Sequence, residues 1–184
     1  MKKNIGVVNG LFPIPDVIVG TEVKGKENFV NVAYVGIVDK DIITISLSKN
    51  KYSARGIVEN RSFSVNMINQ GMLEKADYVG IVSGEKVDKS QVFKVFRGEL
   101  EAAPMIEESL VTMECELIDT KEMETHITYF GKIINTYCSE EILNTDDKID
   151  YEKTSHVLYA DRQYWLTGEV VANAWDVGKN YNKG

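Results

Sequence analysis

Ile42-Ile43-Thr44-Ile45-Ser46-Leu47-Ser48-Lys49-Asn50-Lys51-Tyr52-Ser53 is the stretch from which the fold is read. Its first half alternates, so that Ile43, Ile45 and Leu47 fall on one face and Thr44, Ser46 and Ser48 on the other. That is a half-buried strand, and Lys49–Ser53 is the polar loop that leaves it. A row of hydroxyls ending in amide and ammonium groups can hold a phosphate without a glycine-rich loop. The same residues also suit a strand with one solvated face and an ordinary polar turn.

Working outward, Asp16–Val23 reads as a strand with Val17, Val19 and Val23 on one side. Gly25 sits in the turn Lys24–Glu27, and Asn28–Val38 returns as a second strand. With Asp39–Asp41 as the next turn, the first quarter is expected to be a three-stranded meander. Tyr52–Asn60 has the spacing of a short helix, and Ser62–Ile68 that of a fourth strand, Phe63, Val65 and Met67 alternating with Ser64 and Asn66. Gly71–Tyr78 is helix-compatible. Asp88 or Ser90 is expected to cap another short helix running through Phe93 and Phe96. Val111–Leu117 alternates strictly, and His126–Tyr137 is its expected partner, kinked near Gly131. Tyr159–Trp165 is an aromatic patch, and the tail at 173–184 carries no pattern of order. Many short strands, few helices and short connections make this a mainly β chain, a closed or nearly closed antiparallel barrel in a single domain over residues 1–184.

Composition bounds the chemistry. A chain of 184 residues with a formal charge of −7 suits one well-buried domain and disfavours nucleic acid as a partner. No apolar run is long enough to cross a bilayer, and the start lacks the apolar core of a signal peptide, so the expected setting is cytoplasmic with no membrane association. Cys115 and Cys138 form no disulfide framework, and Cys115 lies on the apolar side of its strand, the place of a small core residue. No metal-ligand spacing appears: Asp146, Asp147 and Asp150 lack the companions of a calcium loop.

Three stretches remain. They are the loop Ser46–Ser53, the segment Asn28–Tyr34 in which small Ala33 would let a planar ligand approach the backbone, and Tyr78–Lys89 with its glycines and basic end. In that order, together with Pro15–Phe29, Phe63–Asn66, Ala103–Glu108, Glu124–Ile133 and Leu158–Trp165, they resemble the flavin reductase-like FMN-binding split barrels, in particular the flavoredoxin branch. The resemblance runs from about Pro13 to Gly168.

It implies a six-stranded Greek-key barrel with flanking helices, and a homodimer with non-covalent FMN near its interface. Carried onto this chain, Asn28 and the backbone of Asn31, Val32, Ala33 and Tyr34 would border the flavin ring. Ser46, Ser48, Lys49, Tyr52 and Ser53 would hold the phosphate. Asn66, Ser83, Gly84 and Lys89 would complete the pocket, and His126 and Tyr159 would line its open face. Tyr34 stands where the family often has tryptophan, Lys51 where it often has arginine, and Val79 where it often has cysteine. Lys51 thus brings a point charge in place of a planar fork. A cation near the flavin stabilises the reduced form, and Lys89 is the candidate; His126 is the candidate for orienting the incoming substrate or relaying a proton. The resulting expectation is an oxidoreductase passing hydride from NAD(P)H to FMN and electrons on to an acceptor. The alternative is an FMN-binding electron-transfer protein reduced by a partner protein, without a nicotinamide site.

Overall fold

The structure, a computed structural model, describes residues 1–181. In chain order the strands are Ile14–Pro15 (β1), Val17–Val23 (β2), Lys26–Val32 (β3), Val35–Asp39 (β4) and Ile42–Ser48 (β5). Helix Ser53–Asn60 (α1) leads to Ser62–Met67 (β6), and helix Leu73–Ile81 (α2) to Val95–Phe96 (β7) and Met105–Ile106 (β8). The long pair Val111–Glu122 (β9) and His126–Cys138 (β10) follows, then Val157–Ala160 (β11) and Gln163–Leu166 (β12). The expected alternation of β5 is present: Ile43, Ile45 and Leu47 are buried and their neighbours only half so.

Seven strands hydrogen-bond in the order β3-β2-β6-β9-β10-β5-β4. The segment expected as one strand, Asn28–Val38, is broken at Ala33–Tyr34, so its two halves lie at opposite edges of the sheet. Ser46 N on β5 donates to Tyr34 O at 2.8 Å, which draws the edges together at the break. Counting β3 and β4 as one bent strand leaves six strands around a closed barrel, and the three-stranded meander is replaced by two hairpins at either side of the closure. A barrel has no free edge for another chain to pair with, which is the physical gain from the bend.

The barrel interior is filled by Val17, Val19, Val30, Val32, Ile45, Leu47, Phe63, Cys115, Leu117 and Tyr129, with Ile57 of α1 closing one end. A second apolar layer lies outside, where Ile18, Phe29, Met72, Ala76, Val79, Phe93 and Ile106 pack under α2. This is why β2 is buried on both faces, against the one-sided reading of its valines. The bulge expected near Gly131 is found as a register shift between Phe130 and Gly131. Glycine is required there because a Cβ would collide with the Phe63 ring and come within 3.1 Å of Cys115 Cβ.

The helix expected through Phe93 and Phe96 does not form. Ser90 N bonds back to Asp88 Oδ1 at 3.0 Å, closing a turn instead of capping a helix, and Val95–Phe96 pairs with Met105–Ile106. Phe93 goes into the second core layer, edge-on to Phe29 at 5.1 Å. The aromatic patch at 159–165 is the β11–β12 hairpin, extended by β1 into a three-stranded sheet. Of the tail set apart at 173–184, residues Val177–Asn180 form a 3-10 turn, and 182–184 lie outside the described residues.

Candidate functional site

The break between β3 and β4 opens a cleft of about 260 Å³, its floor the bent backbone of Asn31, Val32, Ala33 and Tyr34. Ser46 and Ser48 on β5, His126 and Tyr159 line its walls. His126 is in register with Ser48 across the β5–β10 pair, and the Ser46 hydroxyl shares a hydrogen bond with Thr128 at 2.8 Å. The rings of Tyr34 and His126 lie 5.6 Å apart, and Thr125 Oγ1 meets His126 Nδ1 at 2.8 Å, so Nε2 is the ring nitrogen left over for a ligand. A planar group fits such a place: an apolar and backbone floor with aromatic walls.

Lys51 joins this cleft to a second one of about 140 Å³, lined by Tyr52, Ser53, Ser83, Gly84 and Lys89. Lys89 is only 4 % exposed. Its ammonium donates to Phe29 O at 2.9 Å and Val79 O at 2.8 Å, tying β3 to the end of α2. An ammonium has three N–H donors, so one is left for a ligand. Lys51 Nζ donates to Gly80 O at 3.2 Å. Among the described residues neither lysine pairs with a carboxylate. Burial, and then the charge of Lys51, lower the Lys89 pKa from 10.5 to about 8. Two neighbouring cations that no carboxylate neutralises make a place short of negative charge, and an anion relieves both costs.

The hydroxyls there are prepared as donors. Asn28 Nδ2 donates to Ser53 Oγ at 2.7 Å, which leaves the Ser53 O–H free to donate in turn. Ser53 opens α1, whose N-terminal backbone favours an anion. Gly84 lies so close to Asn28 that a Cβ would collide with Asn28 Oδ1 and sit 2.8 Å from Tyr52 Cδ1.

Of the residues expected at the site, Asn31, Val32, Ala33, Tyr34, Ser46, Ser48, His126 and Tyr159 line the first cleft, and Tyr52, Ser53, Ser83, Gly84 and Lys89 the second. Three are placed elsewhere. Lys49 turns outward to Glu122 at 2.6 Å. Asn66 is fully buried, donating to Ile18 O and Ser64 Oγ and accepting from Ile106 N, because the 104–106 segment covers that face of β6. Asn28 is buried behind Ser53 and does not reach the first cleft. Lys51, which the resemblance puts in the place of the family's arginine, lines both clefts. Cys115 is buried and its thiol is pushed up to about 12 by burial and then by Glu114, which keeps it protonated.

A barrel closed by a bent strand, with a ligand cleft at the bend, defines the split-barrel class. The chain belongs to the flavin reductase like domain family, which it matches over residues 9–166. Among solved structures it is similar to a flavoredoxin from Methanosarcina acetivorans, at 38 % identity and a TM-score of 0.91, covering 97 % of this chain and 98 % of that one. It is likewise similar to the flavoredoxin of Desulfovibrio vulgaris (Miyazaki F), at 32 % identity and a TM-score of 0.89, covering 97 % and 100 %. An FMN-binding protein from Thermus thermophilus shares the fold at 22 % identity, with a TM-score of 0.80 over 94 % and 99 %. An uncharacterised protein of Aeropyrum pernix is 24 % identical over 71 % of this chain, which spans about half, 52 %, of that relative's length. Among the described residues no helix is long and apolar enough to cross a membrane.

Proposed function

We propose that this chain is an FMN-binding electron carrier of the flavoredoxin kind, reduced by a partner protein. The observation that carries the reading is the pair Lys51 and Lys89, buried or half-buried, free of carboxylates and continuous with an aromatic-walled cleft. Lys51, Lys89 and the hydroxyls of Ser53 and Ser83 would hold the phosphate; the Asn31–Tyr34 backbone, Tyr34, His126 and Tyr159 would border the ring. On this reading Lys89 serves the phosphate end, since it lies in the second cleft and not beside His126. Bound FMN would supply the redox chemistry, exchanging electrons through its ring. The chain's part is to neutralise the phosphate, to keep the ring's floor dry with Val32 and Ala33, and to present His126 Nε2 for a proton at the open face.

The similarity to two flavoredoxins over almost the whole chain supports a carrier over a nicotinamide-dependent reductase. The reductase, with NADH or NADPH as donor, is the second reading; the open cleft mouth favours it, where Tyr34 is 46 % exposed beside His126. Anaerobic mixing of the FMN-loaded protein decides. Bleaching only with a reduced redox partner such as a ferredoxin is expected; rapid bleaching by NADH or NADPH alone overturns the carrier reading, and failure to bind FMN overturns both.

We also propose a homodimer. Ile37 and Val38 on β4, with Val171 and Trp175 in the tail, present apolar side chains to solvent in the single chain. A light-scattering mass of one chain at micromolar concentration would reject it.

A further inference from the structure

Behind the floor of the first cleft, between β1 and β2, Asp16 is fully buried. Its Oδ2 accepts from Asn31 Nδ2 at 2.9 Å, while its Oδ1 has no hydrogen-bond partner among the described residues. Asn31 is the residue that stands between this carboxyl and the cleft, packed on α2 where Gly80 leaves room: a Cβ at Gly80 would lie 3.0 Å from Asn31 Cβ. The groups that face Asp16 from the packed elements are Asp77 of α2 and Tyr164 of β12, bonded to each other at 2.6 Å. Neither is a cation, and among the described residues Asp16 has no ion-pair partner.

The chemistry of the two side chains fixes what the cleft sees. A carboxylate only accepts, so while Asp16 is ionised the Asn31 amide must turn its NH₂ inward and offer its carbonyl to the cleft. A protonated carboxyl donates, so the amide can reverse, giving its carbonyl to Asp16 and its NH₂ to the cleft. We propose that Asp16 is a positioning residue that takes up a solvent proton when negative charge arrives in the cleft, reversing the Asn31 amide so that a donor replaces an acceptor at the ligand. The electron comes from the reduced partner protein and the proton from water; no other bond is made or broken. Both changes act in one direction, since losing the carboxylate charge and gaining a donor each favour an electron-rich ring. Burial, opposed by the Asn31 bond and the Val17 backbone N–H and assisted by the Asp77 charge, raises the Asp16 pKa from 3.8 to about 6, so at neutral pH the carboxyl is ionised and ready to accept.

The amide reversal does not depend on the cofactor; its coupling to reduction rests on the FMN reading, and two measurements separate them. In the ligand-free protein, the Asn31 side-chain amide resonances in ¹⁵N-labelled wild type are expected to titrate with a midpoint near 6 and to lose that titration in Asp16→Asn. Amide shifts that do not move through that range in wild type, a measurement that needs no variant to fold, overturn the reversal. In the FMN-loaded protein reduced with dithionite, lowering the pH from about 8 to about 5 is expected to favour the reduced over the oxidised ligand by about tenfold more in wild type than in Asp16→Asn. Equal pH profiles overturn the coupling. An amide that titrates in a protein that binds no FMN leaves the reversal standing and overturns the cofactor reading.

Discussion

Replacing Lys89 with methionine keeps the length of the side chain and removes its charge. Two energies follow from the structure. The carbonyls of Phe29 and Val79 lose their donor, at about 1–3 kcal/mol each. Against that, the variant no longer buries an ammonium whose pKa is held at about 8 instead of 10.5; at about 1.36 kcal/mol per pKa unit, and discounted because the group lines the second cleft, that returns about 2–3 kcal/mol. The lost hydrogen bonds, about 2–6 kcal/mol together, outweigh that return by about 1–2 kcal/mol at mid-range, so Lys89→Met folds with a modest loss of stability. Binding of an anion is another matter. A unit charge at about 4 Å from the ammonium at an effective dielectric near 20 is worth roughly 4 kcal/mol, and the cost of stripping water from Lys89 has already been met in folding. FMN affinity should therefore fall by about 10²–10³-fold, while riboflavin, which lacks the phosphate, changes less than about threefold.

Fluorescence titration of both ligands against wild type and Lys89→Met measures this directly. The pH dependence has a definite sign. The folded chain binds fewer protons than the unfolded one between about 8 and 10.5, so the stability contribution of Lys89 rises with pH across that window. FMN binding goes the other way, weakening above about 8 as the ammonium is lost, and this slope should be flat in the variant. If FMN and riboflavin weaken by the same factor, Lys89 does not face the phosphate and the assignment of the second cleft is wrong.

Gly84→Ala should loosen FMN by at least about tenfold with a stability loss of about 1–3 kcal/mol, because the added Cβ displaces Asn28 from Ser53 and crowds Tyr52; unchanged binding would show that the Asn28–Ser53 bond does not prepare the site. His126→Ala should slow reduction of bound flavin by about 10-fold or more in stopped flow while changing the FMN dissociation constant less than about threefold; equal effects on both would make the histidine a wall and no more. Asp16→Asn should stabilise the protein at neutral pH by about 1–3 kcal/mol in urea melts and by nothing near pH 4. The raised pKa means that Asp16 contributes fully below about 3.8 and loses that contribution as the pH rises through about 6, so a variant less stable than wild type at neutral pH contradicts the buried, under-bonded carboxyl.

How much of this could be read from the residues depends on where each interaction is decided. The alternation of Ile42–Ser48 is local, since a period of two fixes which side chains share a face, and the bulge at Gly131 is marked by the residue that permits it. The break at Ala33–Tyr34 left no such mark. Neither residue is glycine or proline, and both halves of Asn28–Val38 satisfy strand preferences, so only the pairing of β4 with β5 and of β3 with β2 reveals the bend. The same limit explains Asn66 and Lys49. On β6 the resemblance puts Asn66 in the ligand pocket, whereas the distant 104–106 segment buries that face and uses Asn66 as a bracket. In the loop after β5, sequence order says nothing of direction: Lys49 turns to Glu122 on β9 and Lys51 to Gly80 on α2, two residues apart and on opposite errands.

That bend is also where fold and site become one problem. A strand that continued straight through Ala33 would leave β2–β3 and β4–β5 as a flat meander, with no cleft and no reason for Ser46 to meet the Tyr34 carbonyl. Because the chain turns, the backbone of Asn31–Tyr34 is withdrawn from regular pairing and becomes the floor of the first cleft. The end of α2 is brought over β3 by the same closure, with Lys89 as the pin between Phe29 O and Val79 O. A cation used as a structural pin is costly unless something negative comes to it, since its pKa has already been driven down by burial and by Lys51. Ligand and fold are therefore coupled through one side chain. FMN at concentrations well above its dissociation constant should raise the wild-type melting temperature more than it raises that of Lys89→Met, and riboflavin should raise the two alike.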